Sequence, residues 1–200
     1  MKRAIFLDRD GVINKLVYNP KTKEYGAPLD KKNLAFYPSA IPALRKFKKM
    51  DFLLFLISNQ PDYAKGKTGL KNLKAVHHRF HRFLEKHGIK FTKYYYCYHH
   101  PEGIVKGYAH RCPCRKPNPY FLLKAKEKYG LDMKNSWLIG DRDADIFCGQ
   151  AAGVRTIQIK EKYSRQKRGK SRPGFYAGNL KGALKIISDF KKKEEENAIA

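Results

Sequence analysis

The chain has 200 residues, of which 42% are hydrophobic, so it is long enough for one α/β domain with a core of ordinary size. No apolar run reaches the roughly 18 to 20 residues of a membrane-spanning helix, and the first ten residues do not form a charged-then-apolar leader, so we expect a cytoplasmic protein without membrane contact. The 43 Lys and Arg residues against 18 Asp and Glu give a net charge of +25, which favours anionic partners but does not distinguish nucleic acid from a small phosphorylated metabolite.

The hydrophobic pattern predicts strands that alternate with helices. Five short apolar runs have the length of buried strands, at residues 4–7, 52–57, 94–96, 136–139 and 156–159. Apolar residues at helical spacing predict helices near residues 41–47, 70–88, 120–129, 146–152 and 180–190. Such alternation implies right-handed crossovers, so we expect an α/β fold with a mostly parallel sheet and helices on both of its faces.

Two carboxylates, Asp8 and Asp10, follow the first predicted strand and precede Gly11. One carboxylate can attack phosphorus while the second moves a proton, and the glycine permits a tight turn. The alternative is an ordinary acidic turn at the end of a strand. Polar residues also end the second and fourth strands, at Ser58 and Asp141. Because ligands bind at the C-terminal edge of such sheets, we expect these four side chains to lie close together.

The order of these groups resembles that of the haloacid dehalogenase (HAD) phosphatases, with Lys116 between Ser58 and Asp141. In such a set Asp8 forms an aspartyl phosphate, and Asp10 protonates the leaving alkoxide and later deprotonates the hydrolytic water. Mg²⁺ held by Asp8, Asp141 and the main-chain carbonyl of Asp10 offsets the repulsion between nucleophile and substrate. Ser58 and Lys116 neutralise the phosphoryl oxygens.

A loop at residues 97–117 carries three thiols and an imidazole at the spacing of a closed, structural zinc site of the Cys3His type. The predicted zinc ligands are Cys97, His99, Cys112 and Cys114. His100 and His110 are alternative ligands, and the other interpretation is a buried thiol cluster with surface histidines. The remaining thiol, Cys148, is expected to be a small core residue.

Five runs of sequence resemble the D-glycero-D-manno-heptose-1,7-bisphosphate 7-phosphatase family, whose subfamily also includes the histidinol-phosphatase domain. These runs are residues 6–14, 58–60, 96–103, 112–117 and 140–141. The resemblance spans residues 5–159. It implies a capless, HAD-like Rossmannoid three-layer fold with a zinc-binding loop, catalytic Mg²⁺, structural Zn²⁺ and removal of one phosphate from a sugar bisphosphate.

The same resemblance implies roles for further residues. Substrate binding is expected from Arg9, Asn59, Gln60 and Arg115. Arg142 is expected beside the metal-binding Asp141 without being a ligand itself. Asp145 either orients a ligand or a water, or is only an acidic residue favoured at a helix N-terminus.

Two stretches depart from the family pattern. Residues 61–66 replace the usual Ser-Gly and short basic turn, and residues 160–172 carry seven basic residues against the single acid Glu161. We expect residues 160–173 to form a mobile or ligand-facing loop outside the catalytic set. The predicted domain is a single phosphatase domain over residues 1–190, followed by a solvated charged tail at residues 191–200.

The sequence thus predicts a Mg²⁺-dependent, monomeric phosphomonoesterase that removes the 7-phosphate of D-glycero-D-manno-heptose 1,7-bisphosphate for synthesis of a surface polysaccharide. Histidinol-phosphate phosphatase is the nearest alternative, and Arg115 favours the bisphosphate because a second phosphate needs a charged partner. The charge alone suggests two others, a nucleic-acid end phosphatase and a non-enzymatic nucleic-acid-binding protein. Nucleic acid is otherwise expected to bind only non-specifically through charge.

Overall fold

Strands and helices alternate along the residues described by the computed structural model, which are residues 1–197. The strands are β1 (Arg3–Leu7), β2 (Val17–Asn19), β3 (Glu24–Gly26), β4 (Phe52–Asn59), β5 (Lys93–Cys97), β6 (Trp137–Gly140), β7 (Arg155–Ile159) and β8 (Phe175–Ala177). The helices are α1 (Ala40–Lys49), α2 (Leu70–Lys86), α3 (Tyr120–Tyr129), α4 (Asp143–Ala151) and α5 (Leu180–Asn197). Short 3₁₀ helices cover Lys31–Asn33 and Lys162–Lys167.

One six-stranded sheet, in the order β5-β4-β1-β6-β7-β8, forms the centre of the fold. Every neighbouring pair in it is parallel. The short strands β2 and β3 form a separate antiparallel hairpin between β1 and α1. Because β1 lies between β4 and β6, the residues that follow these three strands meet at one edge of the sheet.

Alternate residues of β1 face two different cores. Ile5 and Leu7 pack in the core shared with α1, α2 and α5, whereas Ala4 and Phe6 pack in the core shared with α3 and α4. All four side chains are fully buried. A strand that is apolar on both sides is typical of a sheet that is covered by helices on both faces. The predicted three-layer α/β fold is therefore confirmed.

The structure also contains elements that the hydrophobic pattern did not predict. The hairpin of β2 and β3 and the edge strand β8 have only three residues each, too few to give a periodic pattern. Helix α5 continues to Asn197 instead of ending near Phe190, and the Arg155 guanidinium pairs with Glu194 of this extension at 2.9 Å. Residues 198–200 of the predicted tail lie outside the described residues.

The basic loop at residues 160–173 is anchored at both ends. The Arg168 guanidinium donates hydrogen bonds to the carbonyls of Ile159 and Glu161, at 3.0 and 2.7 Å. At the other end the Asp143 carboxylate accepts hydrogen bonds from the main-chain N–H groups of residues 169–171 and from the Ser171 hydroxyl. These contacts give the loop a defined path across the end of the sheet.

None of the helices within residues 1–197 is both long enough and apolar enough to cross a membrane.

Replacing Asp143 by Ala should loosen the basic loop, because the substitution removes the acceptor of its C-terminal hydrogen bonds. We expect faster tryptic cleavage within residues 160–173 and a decrease of about 1 kcal/mol in the free energy of unfolding. Asp189→Ala, an exposed acid on α5, is the control and should change neither. Equal cleavage rates for wild type and Asp143→Ala would contradict the anchoring role.

Candidate active site

Asp8, Ser58 and Asp141 lie at the C-terminal ends of the neighbouring strands β1, β4 and β6. All three side chains are buried. A cavity of about 320 Å³ lies at this edge of the sheet, and Asp8, Asp10 and Lys116 form part of its wall. The sheet order thus brings together Asp8, Ser58 and Asp141, which are up to 133 positions apart in the chain.

Lys116 connects the carboxylates at this edge of the sheet. Its ammonium lies 2.9 Å from Asp8 Oδ1 and 2.5 Å from Asp145 Oδ1, and it donates a third hydrogen bond to the carbonyl of Ile57 at 2.7 Å. The side chain is almost fully buried, with 4% of its surface exposed. Three acceptors around one ammonium satisfy all of its donors and fix the position of its charge.

Asn59 holds the main chain at Lys116. Its amide Nδ2 donates to the carbonyl of Lys116 at 3.0 Å, and its Oδ1 accepts the Lys116 N–H at 3.1 Å. Asn59 also lines the cavity, as its expected role in substrate binding requires. Both polar atoms of its side chain are nevertheless used to position Lys116.

The Asp10 carboxylate lies in a buried network of donors. Its oxygens accept hydrogen bonds from Arg9 at 3.1 Å, from Asn14 Nδ2 at 2.9 Å and from Gln60 Nε2 at 2.6 Å. Burial alone would raise the pKa of Asp10, but the Arg9 charge and these hydrogen bonds lower it below the usual value. Gln60 also donates to Ser58 Oγ at 2.9 Å, which joins the network to β4.

Arg9 and Gln60 lie behind Asp10 and not at the cavity wall. Both are fully buried, and the Arg9 guanidinium donates to Asp10 and to Gln60 Oε1 at 2.8 Å. The structure therefore places two expected substrate-binding residues in support of Asp10. Asn14, to which the sequence analysis gave no role, joins them; the signals for it were its place at the end of the family-like run 6–14 and its position four residues after Asp10.

Asp141 has the surroundings of a cation ligand. Its two carboxylate oxygens are buried and accept no hydrogen bond within the described part of the chain. One oxygen each of Asp8, Asp141 and Asp145 lies within 4.8 Å of the others. Burial raises the pKa of Asp141 to about 7, and the nearby carboxylates add to this although Arg142 opposes it. A divalent cation bound to these oxygens would remove the repulsion, so the residues fit Mg²⁺.

Gly11 leaves space for the Asp141 carboxylate. Its φ angle is +84°, and a Cβ atom at this position would lie 2.4 Å from Asp141 Oδ2. Only glycine combines this backbone conformation with so close an approach. Gly11 is therefore needed both for the turn after the two carboxylates and for the close approach of Asp141.

Asp145 and Arg142 differ from Asp141 in their contacts. Asp145 Oδ1 pairs with Lys116 and its Oδ2 accepts the main-chain N–H of Arg142, so both oxygens are already used. This favours a positioning role for Asp145 together with capping of α4. The Arg142 guanidinium lies 3.7 Å from Asp141 and lines the cavity, beside the candidate cation site as expected.

The predicted zinc ligands converge at the loop of residues 97–117. Cys112 Sγ lies 3.5 Å from Cys97 Sγ and 3.3 Å from Cys114 Sγ, and His99 Nδ1 lies 3.5 Å from Cys114 Sγ. Zn–S bonds of about 2.3 Å give a tetrahedron with edges of about 3.8 Å, close to these separations. All three thiols are free, so the set could hold Zn²⁺.

The alternative ligands and the fourth thiol lie outside this cluster. His100 Nδ1 accepts the main-chain N–H of Glu102, and the His110 ring stands beside that of His99 at 4.4 Å. Cys148 is fully buried in the core next to α3, as expected. Arg115 follows the cluster directly, lines the cavity and donates to the His99 carbonyl at 3.3 Å.

Replacing Cys112 by Ser should lower the zinc content of the purified protein, because Cys112 Sγ is the central atom of the cluster. We expect one zinc per chain for wild type, much less for Cys112→Ser, and faster proteolysis of residues 97–117 in the variant. Cys148→Ser is the matched control and should retain zinc. Wild-type protein prepared without chelator that contains no zinc would contradict the assignment.

The chain is similar to known phosphatases. Residues 113–183 match a family model described as HAD-hydrolase-like. The chain is 34% identical over 155 residues to the D-glycero-beta-D-manno-heptose-1,7-bisphosphate 7-phosphatase of Vibrio cholerae, covering 78% of this chain and 79% of that protein. It is 33% identical over 153 residues to the D-glycero-alpha-D-manno-heptose-1,7-bisphosphate 7-phosphatase of Photorhabdus laumondii, covering 76% and 79%.

The same fold is found in the crystal structure of D,D-heptose 1,7-bisphosphate phosphatase from B. bronchiseptica, complexed with magnesium and phosphate. The two structures have a TM-score of 0.76 at 24% identity, over 94% of this chain and 99% of that chain. The resemblance seen in the sequence motifs is therefore confirmed. Because about a third of the aligned residues are identical over more than three quarters of this chain and of both relatives, this chain is a phosphoric monoester hydrolase that belongs to the D-glycero-D-manno-heptose-1,7-bisphosphate 7-phosphatase family of HAD-type phosphatases.

Proposed function

We propose that this chain removes the 7-phosphate of D-glycero-D-manno-heptose 1,7-bisphosphate, with Mg²⁺, through an aspartyl phosphate on Asp8. The observation that carries the proposal is an Asp8 carboxylate held by Lys116, beside an Asp141 carboxylate that accepts no hydrogen bond from residues 1–197. The substrate is taken from the names of the relatives. Those names include both anomers, so the proposal covers the sugar bisphosphate without choosing between them.

Asp8 is the proposed nucleophile. Its oxygen attacks phosphorus, the bond from phosphorus to the oxygen on carbon 7 breaks, and the phosphoryl group is held as an acyl phosphate. Lys116 fixes the carboxylate at the cavity wall and leaves it little freedom to rotate. Mg²⁺ bound by Asp8 and Asp141 would reduce the repulsion between this carboxylate and the incoming phosphate.

Asp10 is the proposed acid and base. It gives a proton to the leaving alkoxide, and it later takes a proton from the water that attacks the acyl phosphate. Arg9, Asn14 and Gln60 hold its carboxylate in one orientation. They also favour its ionised form, which is the form that accepts a proton from water. An arriving phosphate has the opposite effect, because a nearby negative charge raises the proton affinity of a carboxylate.

Ser58 is the proposed hydrogen-bond donor to the phosphoryl oxygens, and Lys116 is the proposed positive charge that neutralises them. Ser58 Oγ accepts a hydrogen bond from Gln60, so its own proton is left for donation. The ammonium of Lys116 supplies a fixed positive charge where negative charge spreads during transfer. Arg115 offers a further cation at the cavity wall, and its contact with the His99 carbonyl ties its position to the Cys/His cluster.

Replacing Asp8 by Asn should abolish turnover, because an amide oxygen is a poor nucleophile and the change removes a negative charge from the cation site. We expect phosphate release at least 10³-fold slower, with an unchanged circular dichroism spectrum and zinc content. Asp189→Asn is the control and should keep wild-type rates. Substantial Asp8→Asn activity would exclude Asp8 as nucleophile.

Removal of Mg²⁺ should stop catalysis without unfolding the protein. The carboxylates of the site are fixed by Lys116 and by the donors around Asp10, so the fold does not require the cation. We expect activity to disappear after dialysis into buffer without Mg²⁺, with the zinc content unchanged, and to return when Mg²⁺ is added. Loss of secondary structure in the dialysed protein would show that the cation is structural.

The substrate is tested by measuring phosphate release from three compounds: the heptose bisphosphate, histidinol phosphate and a 3′-phosphorylated DNA oligonucleotide. We expect the largest kcat/KM for the bisphosphate. A larger value for histidinol phosphate or for the oligonucleotide would overturn the proposed substrate while leaving the phosphatase chemistry intact.

A further inference from the structure

A row of cations covers the exposed side of helix α2. The row runs from residue 71 to residue 86, which is about 22 Å at 1.5 Å per residue, and its side chains fall within an arc of about 140°. The opposite side of the helix carries Val76, Phe80 and Leu84, which are buried in the core. The members of the row are Lys71, Lys74, Arg79, Arg82 and Lys86.

These five cations line an open groove on the surface of the protein. Lys31, from the short 3₁₀ helix that packs near α2, adds a sixth cation to the lining, and the imidazole of His78 lies among them. Of the described residues that line the catalytic cavity, none also lines this groove. The groove is therefore a separate surface that the phosphatase chemistry does not use.

The positive charge of the groove is not balanced by the protein. Within the described part of the chain, none of its six Lys and Arg side chains forms an ion pair. Glu85 is the single acid among the described residues of the lining. Unpaired cations that are held in a row on one rigid helix attract an anion that carries many charges along its length.

We propose that the row of cations on α2 is a docking surface for the phosphate backbone of double-stranded DNA. This is a second function, beyond the phosphatase activity and independent of it. Double-stranded DNA carries one negative charge per about 1.7 Å of its axis, so a row about 22 Å long lies beside roughly a dozen charges. Contacts of this kind do not read the bases, so the surface binds DNA of any sequence.

The composition of the groove favours DNA over other polyanions. Helices that bind anionic membranes carry large apolar side chains beside their cations, but the exposed large hydrophobic residues within residues 1–197 lie on segments other than α2. Single strands bind through aromatic rings on which bases stack, and the ring of Phe83 is already stacked on Phe36 at 3.7 Å. RNA duplexes are recognised partly through 2′-hydroxyl groups, and the described lining contains no Ser, Thr, Asn or Gln to bind them.

The test measures binding of a labelled DNA duplex of about 20 base pairs, which is longer than the row, by fluorescence anisotropy at several NaCl concentrations. The α2 variant combines Lys71→Ala, Lys74→Ala and Lys86→Ala. We expect wild type to bind with a Kd of about 10⁻⁶ to 10⁻⁴ M at physiological salt, and the α2 variant at least about tenfold more weakly. A plot of log K against log [NaCl] should be shallower by about 2.7 for the variant, because each lost phosphate contact removes about 0.9 from the slope.

The matched control removes the same three charges from the opposite face of the sheet. It combines Lys124→Ala, Lys126→Ala and Lys128→Ala on α3, which packs in the other core. This control should keep the wild-type affinity and salt slope. An equal loss in both variants would show that only the net charge attracts DNA, and the docking surface is then overturned. It is also overturned if wild type does not bind the duplex.

Three further measurements complete the test. All the substituted lysines are exposed, so both variants should keep the wild-type circular dichroism spectrum and melting temperature. Changing the three α2 lysines to Arg instead of Ala preserves the charges and should preserve both the affinity and the salt slope. An RNA duplex of the same sequence and vesicles that contain phosphatidylserine test the other polyanions. Several-fold tighter binding of the RNA duplex, or an α2 variant that loses vesicle binding but keeps DNA binding, overturns the assignment to DNA.

Discussion

The buried ammonium of Lys116 is the interaction on which the active site depends. Asp8 and Asp145 are both buried within ion-pair distance of Lys116, and two such carboxylates repel each other unless a cation lies between them. Although burial disfavours a charged Lys116, Asp145 and Asp8 raise its pKa above the usual value. Lys116 is in turn held by Asn59 and lies near the C-terminal end of the Cys/His loop of residues 97–117. The conformation of that loop therefore determines the position of the Lys116 charge.

A second buried ion pair serves the same purpose at Asp10. Arg9 has no exposed surface, and its guanidinium is paired with the carboxylate that follows it in the chain. Such a pair seldom adds much stability, since desolvation of both charges offsets their attraction. Here the pair fixes the orientation of the Asp10 carboxylate, and the side-chain amides of Asn14 and Gln60 contribute to this. The site therefore consists of carboxylates held by internal cations, together with Asp141, whose buried oxygens accept no hydrogen bond from the described residues.

The sheet and two segments outside its central strands, the β2–β3 hairpin and the loop of residues 160–173, form different parts of the cavity wall. The parallel sheet supplies the reacting groups from the ends of β1, β4 and β6, on elements that pack into both cores. Other parts of the cavity wall come from the β2–β3 hairpin and from Lys167 of the loop of residues 160–173, and the hairpin and the loop touch each other through Tyr25 and Tyr163. Changes in these two segments can alter which phosphorylated molecule fits without disturbing the groups that transfer the phosphate.

The sequence by itself determined what depends on neighbours along the chain. Apolar runs of strand length and apolar residues at helical spacing predicted the layers, and the carboxylates directly after β1 predicted the catalytic edge of the sheet. The spacing of the three cysteines and the histidine predicted that their side chains form one cluster. Only the tertiary structure decided the roles of residues whose partners are remote. Arg9 could face a substrate or Asp10 until Gln60 was placed beside it, and Lys167 belonged to an unassigned basic loop until Asp143 and Arg168 fixed its path. The physical reason is that hydrophobic periodicity records only which side of an element is buried, whereas the partner of a polar group is set by contacts between distant segments.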